Sequence, residues 1–348
     1  VGSRAELRDA FIFTRFKLGN RAAEIRLGDQ VLSWGESTLS QGGINVINPI
    51  DVSALRVPGA ELREALLPVG LVSATIATSQ NTTLELFYQY DWEPEIIDPP
   101  GSYWSSNDFS GRGGDTVFLG WGDSSDLEVL PCYDRPFLGV PRDPNVEPDD
   151  GGQYGVAFRT FLPGLNQTEL GFYYMNYHSR LPALNGRTGT ISGAIEAGTI
   201  GAAAPTIIGT TLFLGVPAGI QAGIAAGVSP TVATIIAGTT AQSGPEAAAS
   251  MAGTLATDAF GATAGYFTVY PEDITLYGVS FNTALVTWAW QGEYSYKQDV
   301  PLQGDDVELL YAALGPINSP LAMFNQIGNY TGQFDTPILA YRQLDVSP

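Results

Sequence analysis

The stretch Thr83-Leu84-Glu85-Leu86-Phe87-Tyr88-Gln89-Tyr90-Asp91-Trp92 sets Leu84, Leu86, Tyr88, Tyr90 and Trp92 against Thr83, Glu85, Gln89 and Asp91, with Phe87 the one exception. Successive side chains of a strand point to opposite faces, so this alternation predicts a β-strand with one apolar and one polar side. The same pattern returns further on. In 286–297, Val286, Trp288, Trp290, Gly292, Tyr294 and Tyr296 oppose Thr287, Ala289, Gln291, Glu293, Ser295 and Lys297. Tyr154, Val156, Phe158 and Leu162 alternate with Gly155, Ala157 and Arg159, and Leu170, Phe172 and Tyr174 with Glu169, Gly171 and Tyr173.

The apolar sides of these strands are aromatic rather than Val, Ile and Leu, and the runs reach the about 10 residues a tilted membrane-crossing strand needs. Tyr88, Tyr90 and Trp92, and again Tyr294 and Tyr296, gather toward strand ends, where amphipathic rings meet lipid headgroups. The fold class expected is therefore all-β, an antiparallel transmembrane β-barrel with its polar faces toward a lumen; a soluble sandwich is the competing reading. Further strands are predicted at 9–18, 22–34, 71–78, 116–121, 266–270 and 274–283. Leu18-Gly19-Asn20, Ser79-Gln80-Asn81 and Pro163-Gly164-Leu165-Asn166 carry the residues that tight turns need. Other connections are long. Short turns on one side and long loops on the other suit a barrel.

Composition narrows the function classes. Of 348 residues, 36 are acidic and 16 basic, a net charge of −20 that argues against nucleic acid, whose phosphates are neutralised by Lys and Arg. The single cysteine, Cys132, forms no internal disulfide, and with the lone His178 it makes no zinc site, so neither metal nor cofactor is expected. His178-Ser179 offers a nucleophile and a base, but adjacent residues of a strand diverge, so no enzyme activity is expected. Cys132 has no neighbouring base.

Three long connections individualise the chain. The first, 35–68, is expected to hold short helices at 51–56 and 60–67 and to fold inward, narrowing a lumen. Candidate lumen or constriction residues are Glu24, Arg26 and Asp29 as a charged network, with Glu36, Asp51, Arg56 and Glu61 on the loop. In Trp34-Gly35-Glu36-Ser37 the alternatives are a Glu36 that holds the inward loop and a rim motif that serves folding only. The second, 93–150, carries thirteen acidic and three basic residues. Ca²⁺ is one reading of it, solvated acidity the better one, because no EF-hand spacing is present.

The third connection, 186–263, divides the chain into strands and loops at 1–185, an insertion, and further strands at 264–348. No charge occurs between Glu196 and Glu246, a run of 49 residues. Helical pieces are expected at 218–228, 230–237 and 245–260, split by Pro205, Pro217 and Pro230. No uninterrupted apolar stretch indicates an ordinary transmembrane helix. So apolar a segment should bury itself as plug, lid, protomer contact or outer-leaflet anchor, with Ile207, Leu212, Phe213, Leu214, Ile220, Ile224 and Ile235 as its apolar candidates. A capped helix is expected after Gln303-Gly304-Asp305-Asp306.

Leu27-Gly28-Asp29-Gln30-Val31-Leu32-Ser33-Trp34-Gly35-Glu36-Ser37, Gly42-Gly43-Ile44-Asn45 and Leu55-Arg56-Val57-Pro58-Gly59-Ala60-Glu61 resemble the proteobacterial outer-membrane family catalogued as domain of unknown function thirteen-oh-two. Ile97-Asp98-Pro99-Pro100-Gly101-Ser102-Tyr103, Asn107-Asp108-Phe109, Tyr270-Pro271-Glu272-Asp273-Ile274, Tyr277-Gly278 and Ser280-Phe281-Asn282-Thr283 are similar to its pattern. The resemblance implies a bacterial outer-membrane barrel that handles hydrophobic compounds such as lipids or sterols, and no catalytic residues. Expected partners are outer-membrane lipid, a hydrophobic small molecule, and a further copy or envelope protein. A structural or assembly role and a general porin are the alternatives. Members of that family are longer, 1–9 is polar without a secretory signal, and no aromatic residue ends the chain. Strands missing at one or both ends, or closure with other chains, are therefore expected.

Overall fold

The computed structural model describes residues 8–36, 43–59, 65–105, 108–119, 139–285, 288–317 and 327–346. Nine strands make one antiparallel sheet: β1 (Ala10–Leu18), β2 (Arg21–Gln30), β3 (Val69–Ala77), β4 (Thr82–Gln89), β7 (Gln153–Leu162), β8 (Thr168–Tyr177), β11 (Ile274–Leu285), β12 (Trp288–Gln303) and β14 (Tyr341–Val346), in that order. Each of the nine lies beside its successor. Since direction reverses at every step, the short links 19–20, 78–81 and 163–167 lie at one end of the sheet, with the close of β11 and the opening of β12, and the long connections leave from the other. The fold is thus antiparallel and β-rich with helices. It is an open sheet rather than the expected closed barrel: among the described residues β1 and β14 are its two edges and do not pair.

The two faces of the sheet differ. One register row runs Thr14, Ile25, Ala74, Leu86, Val156, Tyr174, Tyr277, Tyr296, and the next runs Phe16, Ala23, Ile76, Leu84, Phe158, Phe172, Val279, Tyr294. This face is bare. Phe158, Phe172, Val279 and Tyr294 are all more than a third exposed, and the rings of Tyr154, Tyr174, Tyr277 and Tyr296 form a ladder with centroids 5.4–6.3 Å apart. The opposite face carries Glu24, Thr75, Glu85, Ala157, Tyr173, Gly278 and Ser295 in one row.

The connection 31–68 covers that second face. Trp34, Ile44 and Ile47 are buried against Leu71, Phe87, Ala157, Tyr173, Met175 and Leu276. Strand glycines make the room: a Cβ on Gly155 would meet Trp34 at 2.9 Å, and one on Gly278 would meet Ile44 at 2.8 Å. Trp92, expected on the aromatic face, instead folds inward past the end of β4 and packs edge-on to Tyr270 at 4.8 Å. The helix expected at 51–56 is a 3₁₀ turn at Ala54–Arg56; of the helix expected at 60–67, Ala65 is helical and 60–64 lie outside the described residues.

The alternation at 266–270 forms β10 (Gly265–Val269), yet β10 stays out of the large sheet. It pairs with β9 (Ala183–Arg187), which also pairs with β13 (Pro337–Ile338). The expected strand 116–121 is the two-residue β5 (Thr116–Val117), paired with β6 (Val140–Pro141); its end lies outside the described residues. Period-two patterning states only that a segment is extended, and the neighbours decide which sheet it joins.

Between β9 and β10 stand α1 (Ile191–Leu214), α2 (Val216–Ala225), α3 (Pro230–Ser243) and α4 (Pro245–Gly261). Thr190 and Ser229 cap α1 and α3 by accepting from Gly193 N at 3.2 Å and Val232 N at 3.4 Å. Pro217, Pro230 and Pro245 sit in first turns, where no backbone donor is needed. Pro205 does not split the chain as expected: α1 runs through it. The missing hydrogen bond is offset because Ile200, Ala203, Ala204 and Ile207 on either side are buried in the helical core. Of the described helices, α1 alone is long and apolar enough to cross a membrane. The capped helix expected after Gln303 is α5 (Asp306–Leu314), with Asp305 accepting from Val307 N and Glu308 N.

Candidate functional site

The covered face is held together by a small set of charges. Trp34 Nε1 donates to Glu85 Oε2 at 2.8 Å, and Arg159 lies 3.7 Å from Glu85 and 3.9 Å from Glu169, over the Tyr173 ring. Tyr173 pairs its hydroxyl with Ser280 Oγ at 3.0 Å. Glu293 accepts from Glu36 N at 2.8 Å and Ile44 N at 3.0 Å, pinning both ends of the segment that follows Trp34. Gly35, at φ +90°, makes the turn between Trp34 and Glu36. Asn282 Nδ2 donates to Glu36 Oε2 at 3.5 Å. Glu36 thus holds the inward connection through its backbone and its carboxylate, and Trp34 and Gly35 are the folding part of the motif.

Arg180 anchors the same connection from the long-loop end. Its side chain is buried and donates to Glu93 O at 2.7 Å, Gln89 Oε1 at 2.9 Å, Val46 O at 3.5 Å, and Ile47 O. Burial draws the guanidinium down to about 10, against the opposing pull of Glu95, Glu93 and Asp91, so it remains charged at neutral pH. Burial likewise raises the carboxyl of Glu95, with Arg180 pulling it back. No local pattern marks Arg180 in the sequence, because its partners lie in two distant stretches, 46–47 and 89–93.

The expected lumen residues divide. Glu24 joins Arg26, at 2.6 Å, and Arg15 on the covered side. Asp29 does not join them: five residues from Glu24, it shares the parity of Ile25 and Leu27 and projects from the bare face. Asp51 caps the 3₁₀ turn, accepting from Ser53 N and Ala54 N. Arg56 reaches Asp98 at 2.6 Å and stacks over Trp104, tying the first long connection to the second. Glu61 lies outside the described residues. Sequence reasoning missed Glu85, Arg159 and Glu293, although their places on the polar side of alternating strands were readable.

His178 and Ser179 follow the end of β8 rather than sit within a strand, so the opposite-face argument does not apply to them. The His178 ring bonds Gly151 O at 2.9 Å through Nε2 and accepts from Asp273 N at 3.1 Å through Nδ1, while Ser179 Oγ donates to Leu181 O. The two side chains are committed to backbone and not to each other. Cys132 lies outside the described residues.

The family model described as protein of unknown function (DUF1302) matches residues 1–346. The chain belongs to that family. No curated protein and no solved structure matches it. Within this DUF1302 chain, the uncharged insertion builds a core of its own around Ile200, Ile207, Val232, Ile236 and Leu255, with Ile220 and Ile235 packed against it. Three of its expected apolar residues do the opposite. Leu212, Phe213 and Leu214 stand exposed at the elbow between α1 and α2, Phe213 by 87%, and Ile224 is partly exposed. Among the described residues no three His, Cys, Asp or Glu side chains gather where they could hold a metal ion.

Proposed function

We propose that the nine-stranded sheet is wall of an outer-membrane β-barrel that passes or hands over hydrophobic molecules, with the helical unit at its long-loop end as lid or docking element. The observation that carries this reading is the inverted polarity of the sheet. Its bare face is aromatic and aliphatic, and its polar face is covered by the chain's own connection. Exposed side chains such as Phe16, Tyr88, Phe158, Phe172, Val279 and Tyr294 leave on the order of 1,000 Å² of apolar surface, well beyond the few hundred Å² of a soluble monomer. At about 25 cal/mol per Å² its exposure to water would cost more than the whole stability of an ordinary domain. Lipid removes that cost. A barrel wall also requires that β1 and β14 be joined, directly or through further strands.

Trp288 and Trp290, 72% and 58% exposed on β12, supply the test against Trp34, which is 1% exposed. Reconstituted into bilayers of lipids brominated along the acyl chain, the protein should lose fluorescence from Trp288 and Trp290 and keep that of Trp34. Trp288→Phe/Trp290→Phe should abolish the quenching. Quenching that is equal with and without those two tryptophans sinks the reading.

The exposed elbow Leu212-Phe213-Leu214 favours one second reading, in which the helical unit contacts another copy or an envelope protein. Removal of 191–261 separates the two: lost passage of a hydrophobic dye with assembly intact fits transfer, and lost assembly fits the structural role.

A further inference from the structure

At the long-loop end of the covered face, a cavity of about 340 Å³ lies between the inward connection, the ends of β8 and β12, the start of β11 and the first residue of β9. That volume falls within the about 300–1,000 Å³ of small-molecule sites. Val46, Ile50, Leu181, Ile274 and Val300 make the larger part of its wall apolar.

Most of the polar groups in the wall are spent within the protein. Asn48 donates to Gln30 O and Leu67 O and accepts from Leu32 N. Gln303 accepts from Leu184 N and donates to Leu184 O and Ala340 O, and Ser179 Oγ donates to Leu181 O. The charges are balanced as well. Arg180 is held by its four acceptors within the field of Glu95, Glu93 and Asp91, and Lys297 stands in the field of Glu293, on the same side of β12. An ion entering here would add a charge to a set that is already matched.

Two wall groups are left over. Tyr177, 9% exposed, ends β8 on the covered side, and its hydroxyl bonds to none of the described residues. That oxygen is not sealed off by its neighbours, so it opens on the cavity its residue lines. The side-chain amide of Asn45, also in the wall, likewise bonds to none of the described residues. A donor in an apolar surround is stabilised by an acceptor, and a carbonyl oxygen, with two lone pairs, has one for each of these groups.

We propose that this cavity holds a neutral apolar molecule by its carbonyl oxygen, a ketone or an ester, with Tyr177 donating to that oxygen and the hydrocarbon lying along Val46, Ile274 and Val300. The proposal rests on the reading that hydrophobic molecules pass this sheet, and it narrows their class. A plain hydrocarbon leaves the Tyr177 hydroxyl unpaired, and a carboxylate brings a charge that Glu95 repels.

Calorimetric titration of the full chain in neutral detergent with 2-undecanone, undecane and undecanoate, each against detergent alone, tests the assignment. The ketone should bind saturably, about 5-fold or more tightly than undecane, the effect of one hydrogen bond, and no less tightly than undecanoate. Tyr177→Phe, which keeps the ring in place, should bring the ketone down to the affinity of undecane and leave undecane unchanged. Equal binding of ketone and hydrocarbon, tighter binding of undecanoate, or saturable binding of none of the three overturns the proposal, while the bromolipid quenching decides the membrane reading by itself. Should Tyr177→Phe fail to fold, Val300→Phe carries the test: the larger side chain fills the cavity and should abolish ketone binding, and an unchanged affinity overturns the proposal.

Discussion

The indole of Trp34 donates its N–H to Glu85 across 2.8 Å, and so joins the inward connection to the polar face of β4. The ring is buried edge-on to Phe87 at 5.1 Å and beside Tyr173 at 5.9 Å. Packing and hydrogen bond can therefore be separated. Trp34→Phe keeps most of the contact and leaves Glu85 with Arg159, which predicts a loss of about 1–2 kcal/mol. Trp34→Ala also opens a cavity and should cost about 3–5 kcal/mol. Denaturant unfolding in detergent would measure both, and equal losses would assign the whole effect to the hydrogen bond.

Gly35 faces two constraints where Gly19 faces one. Both have positive φ, +90° and +64°, but a Cβ on Gly35 would meet Glu293 Oε2 at 2.4 Å, while one on Gly19 would meet nothing within 4 Å. Glu293 cannot swing away freely, since it holds the N–H groups of Glu36 and Ile44. Gly35→Ala should thus destabilise by more than Gly19→Ala, for which left-handed strain alone predicts about 1 kcal/mol. In a double-mutant cycle, Glu293→Ala should reduce the cost of Gly35→Ala, and additive losses would count against the clash.

Glu95 predicts a pH dependence. Burial raises its carboxyl above the ordinary range despite the attraction of Arg180. Between the unfolded and the folded values the folded state holds more protons, so stability falls as pH rises through that window and stays lower above it. Glu95→Gln, neutral at every pH, should therefore be the more stable form at neutral pH. Its advantage should vanish as the pH drops below the ordinary glutamate range. A wild type more stable than Glu95→Gln at neutral pH would mean that Arg180 outweighs burial.

What was legible in the sequence was whatever repeats at short range. The alternation in 83–92 and 286–297 placed Tyr88 and Tyr294 on the bare face and Glu85 and Glu293 on the covered one, and the Gly, Asn and Pro turns fell where β1–β2, β3–β4 and β7–β8 join. Charge groups Asp29 with Glu24 and Arg26, but strand parity separates it from them. Pro205 read as a helix break because propensity is local, whereas the packing of Ile200 and Ile207 that carries α1 past it is tertiary. Arg180 was illegible for the same reason: its acceptors at Val46, Ile47, Gln89 and Glu93 lie 87 or more residues away.

The helical unit separates what holds it together from what it presents. Ile207 and Ile236 are fully buried among alanines, and a Cβ on Gly223 would stand 2.8 Å from that of Ala233, so the helices have no slack to close over a void. Ile207→Ala should cost about 2–5 kcal/mol, near the upper part of that range because so tight a core cannot relax into the space left. Phe213, 87% exposed, has nothing comparable to lose, and Leu212→Ser/Phe213→Ser/Leu214→Ser should change unfolding by little, within the about 0.5 kcal/mol typical of surface positions apiece. If the elbow meets lipid or a partner, the same triple variant should weaken that contact while the helical content seen by circular dichroism stays as it was. A triple variant that unfolds the unit would show instead that Leu212-Phe213-Leu214 belongs to its core, and the elbow would no longer stand as a contact surface.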